Sequence, residues 1–137
     1  MLNSWSTLWI QIGVAVLLAI GAVLARLGWY RTHGVCQGIA YVVTLLATLF
    51  WMVPVYVKFM APNVASGSVD RSDVVATVHG ALGGIVLLLG AYVILVAATS
   101  LVPARFRFTS YRAWMRTLIV LWWIVTALGI WTYYLTA

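Results

Sequence analysis

Two histidines, one cysteine and a few polar residues set among apolar ones are the side chains that could do chemistry in this chain. His79 is the sharpest of them. It stands in the uncharged run 74–99, about six residues from its start, or ~9 Å at the rise of an α-helix. At that depth an imidazole can ligate haem iron or copper, relay a proton or touch a quinone. It can equally sit neutral and hydrogen-bonded inside a helix bundle, with Gln11 as one available partner. Met52 belongs to the same half of the apolar layer and offers a soft thioether as a second ligand. Trp122 and Trp123 lie well inside another apolar run, where an indole either fills a core or forms the wall for a ring-shaped cofactor. His33 and Cys36 are three residues apart, which puts both on one face of a helix. As metal ligands they fall short of the four that a closed zinc site wants, so the plain reading is an interfacial histidine and a buried thiol.

The sequence holds no phosphate-cradling glycine loop and no Ser-His-Asp set. Its two acids, Asp70 and Asp73, lie in or beside a polar stretch, so hydrolysis by paired carboxylates has nothing to run on. No catalytic residues are expected, and the chain reads as a protein that is not an enzyme.

The elements that must position these residues follow from composition. Of 137 residues, 65% are hydrophobic and 7% charged, against about a quarter charged in soluble domains. Four apolar runs, 8–27, 34–59, 74–99 and 113–134, are long enough to cross a hydrocarbon core of ~30 Å. Short connections join them, so the expectation is a single all-α membrane domain over 1–137, an antiparallel four-helix transmembrane bundle. Gly80, Gly83 and Gly84 give the third helix a small-residue surface for packing a partner helix. Pro54 predicts a kink in the second helix and a freed carbonyl at Phe50. The stretch 60–73 reads as a mobile polar loop. One cysteine excludes an intramolecular disulfide. The first residues lack the basic region of an export signal, and Arg26 after the first run reads as the stop of a retained helix.

The net charge of +6 lies between the apolar runs, which points to topology and away from nucleic acid as a partner. Arg26 and Arg31 flank the first connection, and Arg105, Arg107, Arg112 and Arg116 flank the third. Around the second, Lys58 and Arg71 offset Asp70 and Asp73. The positive-inside rule then places connections one and three in the cytoplasm and both termini outside. The expected location is the plasma (inner) membrane of a prokaryote, with several crossings. Trp5, Trp9, Trp51, Trp131, Tyr133 and Tyr134 fall at the outer interface, and Trp29, Tyr30, Tyr111 and Trp114 at the inner one. His33 and His79 therefore belong to opposite leaflets, ~20 Å apart along the membrane normal, too far for one subunit to use both on one iron.

His33-Gly34-Val35-Cys36, Val78-His79-Gly80 and Tyr111-Arg112-Ala113-Trp114-Met115-Arg116 are followed by Trp122, Thr126-Ala127-Leu128-Gly129 and Tyr133-Tyr134. In these motifs the chain resembles the YozB-like family of small four-helix membrane proteins, which is linked to haem-copper oxidase biogenesis. The resemblance implies a non-catalytic helper, an assembly factor or small accessory subunit of a respiratory complex. Its partners would be membrane lipid and other transmembrane subunits. The family pattern carries four histidines. His33 and His79 match the first and third, whereas the second falls near Val55 and the fourth near Tyr111. Each side of the membrane thus keeps one histidine, which puts a bis-histidine haem in doubt, although tyrosine can ligate haem iron. The alternative is a small b-type cytochrome or quinone-contacting electron-transfer subunit, with His79 as the haem or metal ligand. A reporter fused after Ala137 is expected on the outer side of the membrane; a cytoplasmic reporter would contradict the topology.

Overall fold

The computed structural model describes residues 4–136, with side chains described for 5–135. All regular structure among them is helical: α1 (Ser4–Arg26), α2 (Tyr30–Ala47), α3 (Val53–Phe59), α4 (Ala61–Ser66), α5 (Arg71–Ala98) and α6 (Tyr111–Thr136). One wider π turn, Thr48–Met52, joins α2 to α3, and a short 3-10 turn, Ala104–Phe106, lies between α5 and α6. Four stretches are long and apolar enough to cross a membrane: Trp5–Arg26, Tyr30–Ser66, Arg71–Ala98 and Tyr111–Leu135.

Local chemistry sets the ends. After α1 the chain turns at Gly28, whose φ of 82° suits glycine. There Trp29 N–H bonds Leu24 C=O and Gly28 N–H bonds Ala25 C=O, the paired closure of a Schellman end. Pro54 does not break the second span. Its missing N–H and its ring are accommodated by the π turn just upstream, in which Val53 N–H reaches back to Thr48 C=O. The polar stretch 60–73 is mostly helix. Pro62 sits in the first turn of α4, where its missing donor costs nothing, and Gly67 ends that helix at φ 76°. Asp70 then opens α5 with a capping box. Its Oδ1 accepts from Asp73 N–H at 2.9 Å, and Asp73 Oδ2 accepts from Asp70 N–H at 3.3 Å. Asn63 Nδ2 donates to both carboxylate oxygens of the buried Asp73, at 3.1 and 3.3 Å, which docks α4 on α5. The far end of α5 is closed by the Arg107 guanidinium, which donates to the carbonyls of Val96, Thr99 and Val102.

α1 packs along α2, and α5 along α6; the contacts α1–α6 and α2–α5 are narrower. Every long helix contributes to the small central core of Val14, Leu18, Ala40, Val86 and Trp122. Large apolar side chains dominate the exterior, with Phe50 76% and Leu88 74% exposed, a surface suited to hydrocarbon and costly in water. Between helices of that kind burial against lipid gains little, so association rests on close fit and polar contacts. Both are present. His33 Nδ1–H donates to Gly21 C=O at 2.7 Å and Gln37 to Leu18 C=O at 3.4 Å, joining α2 to α1. Tyr41 O–H donates to Leu87 C=O at 3.1 Å, joining α2 to α5, with its ring laid against Gly90.

The Ser72 hydroxyl, and after it the Asp73 N–H, hold the Asp70 carboxyl below the usual carboxylate range. Its unfolded value is the higher one, so the contribution of the cap is present above ~pH 3.9 and is lost as pH falls through the lowered folded value. Protection of the Asp73 amide against hydrogen exchange, corrected for intrinsic rate, is expected to fall in that acid window while mid-α5 amides keep theirs. Protection unchanged through the window would contradict the cap.

Candidate functional site

A cavity of about 480 Å³ opens where α1 and α5 begin and where the second span and α6 approach their ends. Its volume suits a small organic ligand, since such sites span roughly 300–1,000 Å³. α1 lines it with Thr7, Leu8 and Gln11; the second span with Thr44, Thr48, Trp51, Met52, Val55 and Tyr56; α5 with Thr77, His79 and three glycines; α6 with Trp122, Val125, Thr126 and Gly129. Among the described residues no Lys, Arg, Asp or Glu borders it. Val86 and Trp122 belong both to this wall and to the core, so the packed centre of the bundle is the floor. Trp122 also borders a second hollow of about 50 Å³ beside Tyr41 and Gly90.

His79 is held by α6. Its Nδ1 lies 3.1 Å from Val125 C=O. A carbonyl can only accept, so Nδ1 carries the proton and, in the neutral ring, Nε2 carries a lone pair. Gly129 makes the ring's seat: a Cβ there would lie 2.9 Å from His79 Cε1. Nε2 has no hydrogen-bond partner among the described residues, and no described buried side-chain nitrogen or oxygen is left unpartnered. Nε2 is therefore not enclosed by protein, and the ring that carries it lines the cavity.

Four threonine hydroxyls of the lining residues donate within the protein. Thr44 donates to Ala40 C=O at 2.9 Å, Thr126 to Trp122 C=O at 2.9 Å and Thr77 to Asp73 C=O at 2.7 Å. Thr48 donates to the Met52 sulfur at 3.8 Å. With its own proton so used, Thr77 Oγ1 accepts from Tyr56 O–H at 3.0 Å. Gln11, Trp51 and Trp122, whose side chains carry N–H donors, line the same cavity.

The structure brings His79, Met52 and Trp122 to one cavity. Trp123 is turned away from it and 45% exposed, because neighbouring helix residues point ~100° apart. Gln11 borders the cavity, but the bond from His79 goes to the Val125 backbone. Gly80, Gly83 and Gly84 line the cavity and widen it. A Cβ at Gly80 or Gly84 would meet nothing within 4 Å, and one at Gly83 only Val125 Cγ1 at 3.6 Å. The close approaches within this subunit occur at Gly21, Gly90 and Gly129 instead. His33 and Cys36 lie outside the cavity and face α1 at Gly21, His33 buried and Cys36 half-buried. Among the described residues no group of three or more His, Cys, Asp or Glu side chains could hold a metal ion. Val55, where the family resemblance expects another histidine, lines the cavity with His79, while Tyr111 stands at the opposite end, its ring 5.6 Å from that of Phe108. Gly129 and Val125 escape sequence reasoning as site residues; the available signal is the small residue Gly129 one turn beyond Thr126 on an otherwise bulky helix. No family model, curated protein or solved structure matches this chain.

The seat at Gly129 has a signed consequence. Gly→Ala in a helix interior gains up to ~1 kcal/mol in propensity, whereas forcing a methyl into a filled site costs ~1–3 kcal/mol. Gly129→Ala is therefore expected to lower the thermal unfolding midpoint of the wild type, and to leave it unchanged or raise it in a His79→Ala background, where the ring is gone. Equal effects in both backgrounds would contradict the seat.

Proposed function

We propose that this chain is a multi-pass membrane protein of a prokaryotic plasma membrane that holds a flat, neutral, largely apolar ligand in its cavity. In that capacity it serves as a non-catalytic helper, an assembly factor or small accessory subunit of a respiratory complex such as a haem-copper oxidase. The observation that carries the ligand is the cavity of about 480 Å³, free of charged lining residues, with one uncommitted imidazole nitrogen on its wall. The oxidase context rests on the family resemblance alone. An antiparallel bundle is supported by the pairing of His33 with Gly21 and of the later Gln37 with the earlier Leu18, which steps in opposite directions along α2 and α1. Outward termini are supported by the arginines that flank the first and third connections.

A second reading, a small b-type cytochrome, is favoured by Met52 lining the same cavity as His79. There His79 Nε2 would ligate the iron of a haem b, and the propionates would have to reach polar groups beyond the cavity wall.

The two readings separate in one preparation. The full chain, purified in mild detergent, is scanned for a redox-responsive Soret band and its bound organic molecules are extracted and weighed. A colourless protein carrying a neutral ring compound, lost in Gly84→Leu and His79→Ala, is the expected result. A Cβ at Gly84 meets nothing within 4 Å, so the leucine starts into the open space of the cavity and tests its occupancy. A Soret band removed by His79→Ala would replace the first reading with the second, and a protein with neither would overturn both.

A further inference from the structure

Resting on the ligand-binding reading above, we infer that the cavity takes the reduced, hydroquinone form of a lipid-soluble quinone in preference to the oxidised form, with His79 Nε2 accepting the hydrogen bond of a ring hydroxyl. Val125 C=O fixes the proton of the His79 ring on Nδ1, at 3.1 Å, so Nε2 of this cavity-lining ring is an acceptor. Thr44 and Thr126, on the same cavity, turn their hydroxyl protons to carbonyls of their own helices and so have none to offer a ligand. A quinone carbonyl set against His79 Nε2 places acceptor against acceptor, and desolvates both without a bond. A hydroquinone hydroxyl donates to Nε2 and so satisfies it.

Charge points the same way. With no basic residue among the described residues of the wall, a ligand that brings carboxylates or phosphates would bury them unpaired there. A hydroquinone is neutral, flat and attached to an apolar tail. Its ring has an aromatic face to lie on at Trp122, and the open space beside Gly80 and Gly84 leaves room for the start of the tail.

Binding is measured on the full chain in nanodiscs at about pH 8, above the ordinary imidazole value of ~6.5, so that the neutral ring is the one tested. The probes are decyl-ubiquinone, its dithionite-reduced hydroquinone and the dimethyl ether of that hydroquinone, together with the corresponding naphthoquinone series. The hydroquinones are expected to bind roughly tenfold or more tighter than the quinones and the ethers, the range that a satisfied against an unsatisfied buried acceptor produces. The preference is expected to vanish in His79→Phe and in Gly129→Ala, which keeps the histidine but denies its ring its seat, and to persist in Trp123→Phe. Quinone or ether binding as tightly as hydroquinone would overturn the inference and leave the ligand-binding reading standing. No binding of any probe, by protein that still yields an extracted ligand of its own, would overturn the inference alone. No binding by protein with no extracted ligand would overturn both.

Discussion

An imidazole Nδ1–H donated to a backbone carbonyl of the neighbouring helix is the contact on which this bundle turns, and it occurs twice. His33 clips α2 to α1 at Gly21, and His79 clips α5 to α6 at Val125. For helices apolar enough to lie in a bilayer, the contact between them gains little from excluding solvent, so each tight pair depends on a polar link and on a place where the backbones can come near. The glycines supply those places. A Cβ at Gly21 would lie 2.5 Å from Gln37 Nε2, one at Gly90 3.0 Å from the Tyr41 ring, and one at Gly129 2.9 Å from the His79 ring. Each of these glycines therefore seats one polar side chain that crosses to another helix.

Two tightly clipped pairs that meet only along narrow contacts cannot fill the space between them. They close over the shared core of Val14, Leu18, Ala40, Val86 and Trp122, and part above it. The glycines at 80, 83 and 84 keep one wall bare, and the π turn before Pro54 sets Trp51 and Met52 on another. The same bond that clips α5 to α6 sets the chemistry of the cavity, since it decides which imidazole nitrogen holds the proton. Packing and the proposed recognition thus share one side chain, His79.

Much of this was legible in the residues. Length and hydropathy are enough for four spans, because an apolar run of that size has few alternatives. The boundaries were harder. The polar stretch 60–73 has a loop's composition, yet Pro62 is tolerated in a first helical turn, and Asp70 with Asp73 is a capping box written with two aspartates, so α4 and the first turn of α5 lie within it. Pro54 signals a kink within the second helix, and the structure meets it with a single π turn just upstream while the span stays helical from Tyr30 to Ser66. His79 stands out by type and depth. Its partner does not, because a backbone carbonyl has no signature in sequence. The same holds for glycines: whether one seats a neighbour or leaves a hollow depends on what faces it, which is why Gly129 and the glycines at 80, 83 and 84 have opposite uses despite similar surroundings in the chain.

The proton position on His79 tests the account most directly. Nitrogen-15 NMR of the full chain labelled at histidine, in lipid and free of added ligand, distinguishes the two neutral tautomers by the shifts of the ring nitrogens. A protonated Nδ1 with a pyridine-like Nε2 is the predicted state. A protonated Nε2 with a bare Nδ1 would break the link to Val125, and with it both the α5–α6 clip and the acceptor character assigned to the cavity.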